Sequence, residues 1–142
     1  MRTQKVIIAD SNKFFREGLK TILLNIGRVK IVGEAECGND LLNLMDSQKA
    51  DIVFVEVNMP KMNGIEVTRQ AHLKFPDTTF IAFSSLENKR YINQMLEAGA
   101  EGYLSKNCNN YDLFRQIIED RHHGGFISPE LQTRQMTDNN IN

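Results

Sequence analysis

Short apolar runs alternate with segments of helical period along most of this chain. The runs are rich in β-branched residues and are apolar at nearly every position, which is typical of parallel strands covered on both faces. Between them, apolar residues recur at the three- and four-residue spacing of amphipathic helices. The predicted strands cover residues 6–9, 29–32, 52–55, 79–83 and 102–104, and the predicted helices contain residues 15–26, 41–45, 65–75, 92–96 and 113–118.

Five consecutive strand and helix pairs predict an α/β domain with a doubly wound, five-stranded parallel sheet, the (βα)5 flavodoxin-like fold. Because crossovers between parallel strands are right-handed, we expect the strand order 2-1-3-4-5. The length of 142 residues suits one domain, which we place at residues 1–126. The polar sequence at residues 127–142 predicts a C-terminal tail or the start of a linker.

Charge and hydropathy argue against several classes of protein. No apolar stretch approaches the roughly 18 residues of a membrane span, and the N-terminus lacks the pattern of a signal peptide, so we expect a cytoplasmic protein. The 17 basic and 18 acidic residues form no basic stripe, which argues against nucleic-acid binding by this chain alone. Cys37 and Cys108 lack metal-ligand spacing and predict no disulfide framework.

Polar side chains follow four of the five predicted strands. Asp10 and Ser11 come after the first strand, and Glu56 comes after the third. Ser84 follows the fourth strand and Lys106 the fifth. Ligands of such sheets bind outside the carboxyl ends of the strands, so we expect these groups to converge, although Asp10 and Ser11 could also simply cap the first helix. Carboxylates for a divalent cation, with a hydroxyl and an ammonium for phosphoryl oxygens, predict a phosphoryl-transfer site.

The sequence resembles the receiver domain of a two-component response regulator, close to the NarL/FixJ type. The matching stretches lie between residues 4 and 130 and so cover nearly the whole chain. In that family an aspartate after the third strand accepts a phosphoryl group from a histidine kinase, and an acidic pair after the first strand helps to bind Mg²⁺. The stretches are VIIADSNKFFREGLK, VGEAECGNDLL, DIVFVEVNMPKMNGIEV, EAGAEGYLSK and GGFISPE.

The resemblance implies roles for individual residues of this chain. By similarity, Ser84 and Lys106 contact the phosphoryl group, and Tyr103 is the aromatic residue that switches rotamer. The resemblance assigns no catalytic residue, because the family's receivers are signalling domains, and we expect no enzyme. The implied ligands of Mg²⁺ are Asp10, Glu56 and the backbone carbonyl of Asn58, and the implied turn residues of the loop after the third strand are Pro60 and Gly64.

Two positions depart from the family pattern. Glu56 stands in the place of the phosphoacceptor aspartate, and Ser11 replaces one member of the acidic pair. The extra methylene of glutamate moves its carboxylate by roughly 1.5 Å, and a misplacement of about 1 Å can cost on the order of a hundredfold in a reaction that depends on positioning. The missing carboxylate also weakens the cation site. We therefore expect Mg²⁺ to bind poorly.

Three functions remain open. We favour a pseudo-receiver that signals without aspartate phosphorylation, through contacts with a sensor histidine kinase, an output domain or a second copy bound through the fourth helix, fifth strand and fifth helix. Its Glu56 carboxylate would reach toward Lys106 and Ser84 and partly imitate a phosphorylated aspartate. The alternatives are a receiver that still accepts a phosphoryl group, and the regulatory half of a LuxR-type transcription factor whose helix-turn-helix domain is absent from this chain.

Overall fold

The computed structural model describes residues 2–131, and this part of the chain forms a parallel sheet with helices on both faces. The sheet order is β2-β1-β3-β4-β5-β6, so the first five strands have the predicted order and the predicted doubly wound fold is confirmed. The elements are β1 (Gln4–Ala9), α1 (Lys13–Ile26), β2 (Val29–Ala35), α2 (Gly38–Ser47), β3 (Ile52–Val55), α3 (Gly64–Lys74), β4 (Thr79–Ser84), α4 (Lys89–Ala98), β5 (Gly102–Ser105), α5 (Tyr111–Glu119) and β6 (Phe126–Ile127).

The prediction of five strands missed the short strand β6, which pairs in parallel with β5. The two backbones lie so close that a Cβ atom on Gly102 would stand 2.5 Å from the Phe126 carbonyl oxygen. Ser128 and Leu131 are also buried. The segment 127–142, which we predicted to be a polar tail or the start of a linker, thus begins with residues that pack against the sheet, and its part from residue 132 onward lies outside the described residues.

Side chains on the central strands alternate between two apolar clusters, one on each face of the sheet. Ile7 and Val53 point to the face covered by α2, α3 and α4. Their neighbours Ile8 and Phe54 point to the face covered by α1 and α5. Because both faces are covered, every position of β3 is buried, which is why its sequence is apolar throughout instead of alternating.

Asparagine is the N-terminal cap of four of the helices α1 to α5. In each case the side-chain oxygen accepts a hydrogen bond from a backbone N–H in the first helical turn, which satisfies a donor that the helix itself leaves free. These caps fix where α1, α3, α4 and α5 leave the loops at the carboxyl edge of the sheet. No helix within residues 2–131 is long and apolar enough to cross a membrane. The capping residues are Asn12, Asn63, Asn88 and Asn110.

Candidate functional site

An ammonium group lies between two carboxylates at the carboxyl edge of the sheet. Lys106 Nζ is 2.7 Å from Asp10 Oδ2 and 2.8 Å from Glu56 Oε1. The three side chains, which we call the ion triad, are each 6% exposed or less. Charges this well removed from water interact more strongly than surface pairs, and each needs its partners in place.

Backbone hydrogen bonds fix the position of all three triad residues. The N–H of Asp10 donates to the Ala35 carbonyl at 2.9 Å, and the N–H of Glu56 donates to the Ala9 carbonyl at 2.9 Å. The Lys106 N–H donates to the Ser84 carbonyl at 2.9 Å. The sheet ladder thus continues one residue beyond β1, β3 and β5. The long lysine side chain then reaches across the end of β4 to the two carboxylates.

The remaining carboxylate oxygens of the triad accept backbone hydrogen bonds. Asp10 Oδ1 accepts from the N–H of Asn12 at 2.8 Å. Glu56 Oε2 accepts from the N–H of Asn58 at 3.2 Å. All four carboxylate oxygens therefore have a partner within the protein, as buried charges require.

The residues present do not fit a resident Mg²⁺ ion. Ser11 is exposed and supplies no carboxylate, and residues 2–131 contain no cluster of three or more His, Cys, Asp or Glu side chains that could hold a metal. Mg²⁺ takes an octahedral set of oxygen ligands, usually several waters together with one or two carboxylates whose oxygens are free to bind it. Here the two implied ligand carboxylates bind the Lys106 ammonium instead, and Asn58 contributes its N–H to Glu56.

The ring of Phe15, near the start of α1, covers the Lys106 ammonium. Its centroid is 4.1 Å from Nζ, within the distance of roughly 6 Å at which the negative face of an aromatic ring attracts a cation. The sequence placed Phe15 only among the apolar residues of the first helix. Phe15 is the third residue of α1 and lies five residues after Asp10, and this position in the first helical turn beside the strand end is the signal that could have identified it.

Ser84 and Tyr103 form a second buried group beside the triad. The Ser84 hydroxyl accepts a hydrogen bond from the Leu86 N–H at 3.1 Å and forms another with the Tyr103 side chain. The Tyr103 hydroxyl donates to the Leu86 carbonyl. Ser84 therefore lies near the predicted crevice, but its hydroxyl binds the loop before α4 and not the triad. Tyr103 points inward and is fully buried.

Burial raises the pKa of the Tyr103 phenol to about 12, with partial compensation from its hydrogen bond with Ser84. Because the pKa is higher in the folded than in the unfolded state, the associated stability is fully present below about pH 10 and is lost as the pH rises toward 12. We expect Tyr103 to remain protonated at about pH 11. Near-ultraviolet phenolate absorbance of wild type should then equal that of Tyr103→Phe, and a higher absorbance of wild type would contradict this.

Three polar residues outside the predicted site connect β5 to the loop before α4 and to the segment after β6. The Ser105 hydroxyl donates to Glu87 Oε1 at 2.6 Å, which ties β5 to the loop before α4. The Ser105 N–H donates to the Ser128 hydroxyl at 2.9 Å, which ties it to the segment after β6. Sequence reasoning missed these residues, because single serines at strand ends and a single loop glutamate give no signal of their partners.

A buried arginine holds the loop that carries Asp10. Arg16 Nη1 donates to the Asp10 carbonyl at 2.6 Å, and Nε donates to Glu34 Oε1 at 2.9 Å. The arginine was also missed, since nothing in a helical pattern of alternating charge marks one cation as buried. It links α1 to β2 and so fixes the backbone from which the Asp10 carboxylate projects.

The loop after β3 contains the two predicted turn residues, Pro60 and Gly64. Pro60 is exposed, whereas Gly64 is buried and its N–H donates to the Val57 carbonyl at 2.8 Å. A Cβ atom on Gly64 would stand 2.2 Å from the Glu56 carbonyl oxygen. Of these two positions, Gly64 is the one at which the packing admits only glycine.

Comparison with known proteins relates this chain to one family. Residues 6–118 match the sequence model of the response regulator receiver domain. Transcriptional regulatory protein DegU of Brevibacillus brevis is 30% identical over 127 residues, which are 89% of this chain and 54% of that protein. Response regulator GacA of Pseudomonas aeruginosa is 30% identical over 127 residues, 89% of this chain and 59% of that protein. The chain thus spans little more than half the length of these relatives.

A solved structure supports the same relationship. The isolated receiver domain of RcsB from Salmonella enterica serovar Typhimurium, determined in the presence of the phosphomimetic BeF3−, superposes with a TM-score of 0.83 at 25% identity. The match covers 94% of this chain and 98% of that domain. The fold of this chain is therefore that of a known receiver domain.

Proposed function

Because this chain belongs to the response regulator receiver domain family, we propose that it is a pseudo-receiver, which signals through protein contacts without being phosphorylated after β3. The observation that carries the proposal is the ion pair between Glu56 and Lys106. A phosphoacceptor needs a free carboxylate oxygen for attack and a neighbouring cation to neutralise the incoming phosphoryl oxygens. In this chain both groups are already bound to each other.

The surroundings of Glu56 support loss of the phosphoryl transfer. Both of its carboxylate oxygens accept hydrogen bonds, from Lys106 and from the Asn58 N–H. The site also lacks the second acidic residue after β1, where Ser11 is exposed. Attack on phosphorus would require Glu56 to break a buried ion pair, and this raises the barrier to a reaction that depends on positioning.

The same contacts support a partial imitation of the phosphorylated state. The Glu56 carboxylate already draws Lys106 to the end of β3, and Tyr103 is already turned inward and bonded to the Leu86 carbonyl. The imitation lacks the charge of about −1.5 to −2 and the third oxygen of a phosphoryl group. The domain would therefore remain in one signalling conformation independently of a kinase.

The output of the domain is proposed from its relatives. DegU is named as a transcriptional regulatory protein and GacA as a response regulator, and this chain matches only about half of each. We infer that the domain acts as the regulatory part of a transcription regulator of this type. Its partners would be an output domain, a sensor kinase or a second copy of the chain bound through α4, β5 and α5.

Intact-mass spectrometry after incubation with Mg²⁺ and a small acyl-phosphate donor tests the proposal. Wild type should gain no phosphoryl group, whereas a Glu56→Asp, Ser11→Asp double variant should gain one. The physical reason is that the two substitutions restore the shorter nucleophile and the second carboxylate for the cation.

A Glu66→Asp variant is the matched control, because Glu66 is a half-exposed carboxylate on α3. It should remain unmodified, as wild type does. Phosphorylation of the wild-type chain at Glu56 would overturn the proposal. If the double variant also gains no phosphoryl group, wild type is still not phosphorylated, but residues other than Glu56 and Ser11 must account for the loss of phosphorylation.

A further inference from the structure

The Lys106 ammonium has a third neighbour besides the two carboxylates. Asp10 and Glu56 accept two of its N–H groups, and the Phe15 ring lies 4.1 Å from the nitrogen. A lysine side chain ordinarily keeps its ammonium in water. Here, the ammonium is enclosed by two anions and an aromatic face, and the Lys106 side chain is only 6% exposed.

We propose that Phe15 makes the Asp10–Glu56 pair selective for the tethered ammonium of Lys106 against free divalent cations. The inference rests on the proposed function, because it explains how the Asp10 and Glu56 carboxylates of a receiver-type site are kept from binding Mg²⁺. Phe15 is a positioning residue in this proposal. It acts through Lys106 and makes no bond to an incoming ion.

The chemistry of the two cations explains the selectivity. The face of an aromatic ring attracts an ammonium but offers no oxygen ligand. Mg²⁺ gives up its waters reluctantly and keeps several of them when it binds a protein. The space that Phe15 and other apolar side chains line beside the two carboxylates has no room for a water molecule, so an ion entering it would have to give up the waters that Mg²⁺ keeps. The apolar lining residues include Leu19, Phe54 and Phe83.

The neighbouring phenylalanine offers a matched control. Phe14 is adjacent in α1 and 78% exposed, and its ring meets the Phe15 ring edge to face at 5.5 Å between centroids. The ring that lies over the Lys106 ammonium is that of Phe15. A change in Mg²⁺ affinity that depends on the ring over the ammonium should therefore appear when Phe15 is replaced and not when Phe14 is replaced.

Titration of the intact chain with Mg²⁺, followed by NMR, tests the proposal. The amide signals of Asn12 and Asn58 report on the site directly, because these N–H groups bond to the two carboxylates. We expect Phe15→Leu to bind Mg²⁺ about tenfold more tightly than wild type, the scale of a buried cation–π contact. Phe14→Leu and the ring-retaining Phe15→Tyr should bind like wild type.

A double-mutant cycle with Lys106→Met separates an effect through the ammonium from simple obstruction by the ring. If Phe15 acts through Lys106, its replacement by leucine should change Mg²⁺ affinity little in the Lys106→Met background. Three results would each overturn the inference. Wild type and Phe15→Leu could bind Mg²⁺ with equal affinity, or the Phe14→Leu and Phe15→Leu variants could change in Mg²⁺ affinity by the same amount. The Phe15→Leu effect on Mg²⁺ affinity could also remain undiminished in the Lys106→Met background. The Mg²⁺ titration does not depend on phosphorylation. It can therefore contradict the role of Phe15 while the mass-spectrometry result still supports the proposed function, and the mass-spectrometry result can contradict the proposed function while the titration supports the role of Phe15.

Discussion

Replacement of Lys106 by methionine is expected to lower the free energy of unfolding by about 3–5 kcal/mol, the usual cost of removing one partner of a buried ion pair. Methionine preserves the volume of the side chain but leaves Asp10 and Glu56 facing each other without a cation. Both carboxylates are at most 5% exposed, so water cannot replace the lost partner. Urea unfolding followed by circular dichroism measures the change.

The control for this substitution is Lys74→Met, which removes a lysine from an ion pair with Asp46. Those side chains are 60% and 51% exposed, and a surface pair contributes no more than about 1 kcal/mol. A Lys106→Met, Glu56→Gln double variant should recover part of the loss, because it removes the repulsion between the two carboxylates. If Lys106→Met loses no more stability than Lys74→Met, the triad is not the buried charge centre described above.

The fold was predictable because its signal is repeated along the chain. The runs at β1, β3 and β4 are apolar at almost every position, and this pattern requires helices on both faces of the sheet. Strand β6 was missed because two residues between a Gly-Gly pair and a Ser-Pro turn carry no periodicity. Its stability comes from pairing with β5, a contact about 24 residues away that sequence pattern cannot display.

The positions of the site residues were predictable, but their partners were not. Topology alone places Asp10, Glu56 and Lys106 at the ends of neighbouring parallel strands. Which atoms then meet depends on side-chain length and rotamer. Lysine is long enough to cross β4 and reach both carboxylates, whereas the short Ser84 side chain binds its own loop at Leu86.

Substitution of Gly64 by alanine is the second change with a large expected effect, a loss of about 3 kcal/mol in the free energy of unfolding. The new Cβ atom would stand 2.2 Å from the Glu56 carbonyl oxygen and 2.9 Å from Val57 Cα. Both are backbone atoms, so no flexible side chain can move aside. The start of α3 must then shift away from the end of β3, and the Gly64 N–H bond to the Val57 carbonyl is strained with it.

Gly18→Ala is the matched control, because Gly18 lies in the exposed interior of α1 and a Cβ atom there meets nothing within 4 Å. Alanine favours a helix interior over glycine, so this variant should gain up to about 1 kcal/mol. The ion triad provides a second measurement, because the backbone carbonyl oxygen that the Gly64→Ala methyl group would displace belongs to Glu56. We expect the Asn58 amide signal, which reports the Glu56 carboxylate, to shift in Gly64→Ala and to stay in place in Gly18→Ala. An unchanged Asn58 signal in a destabilised Gly64→Ala variant would show that the loop after β3 and the ion triad move independently.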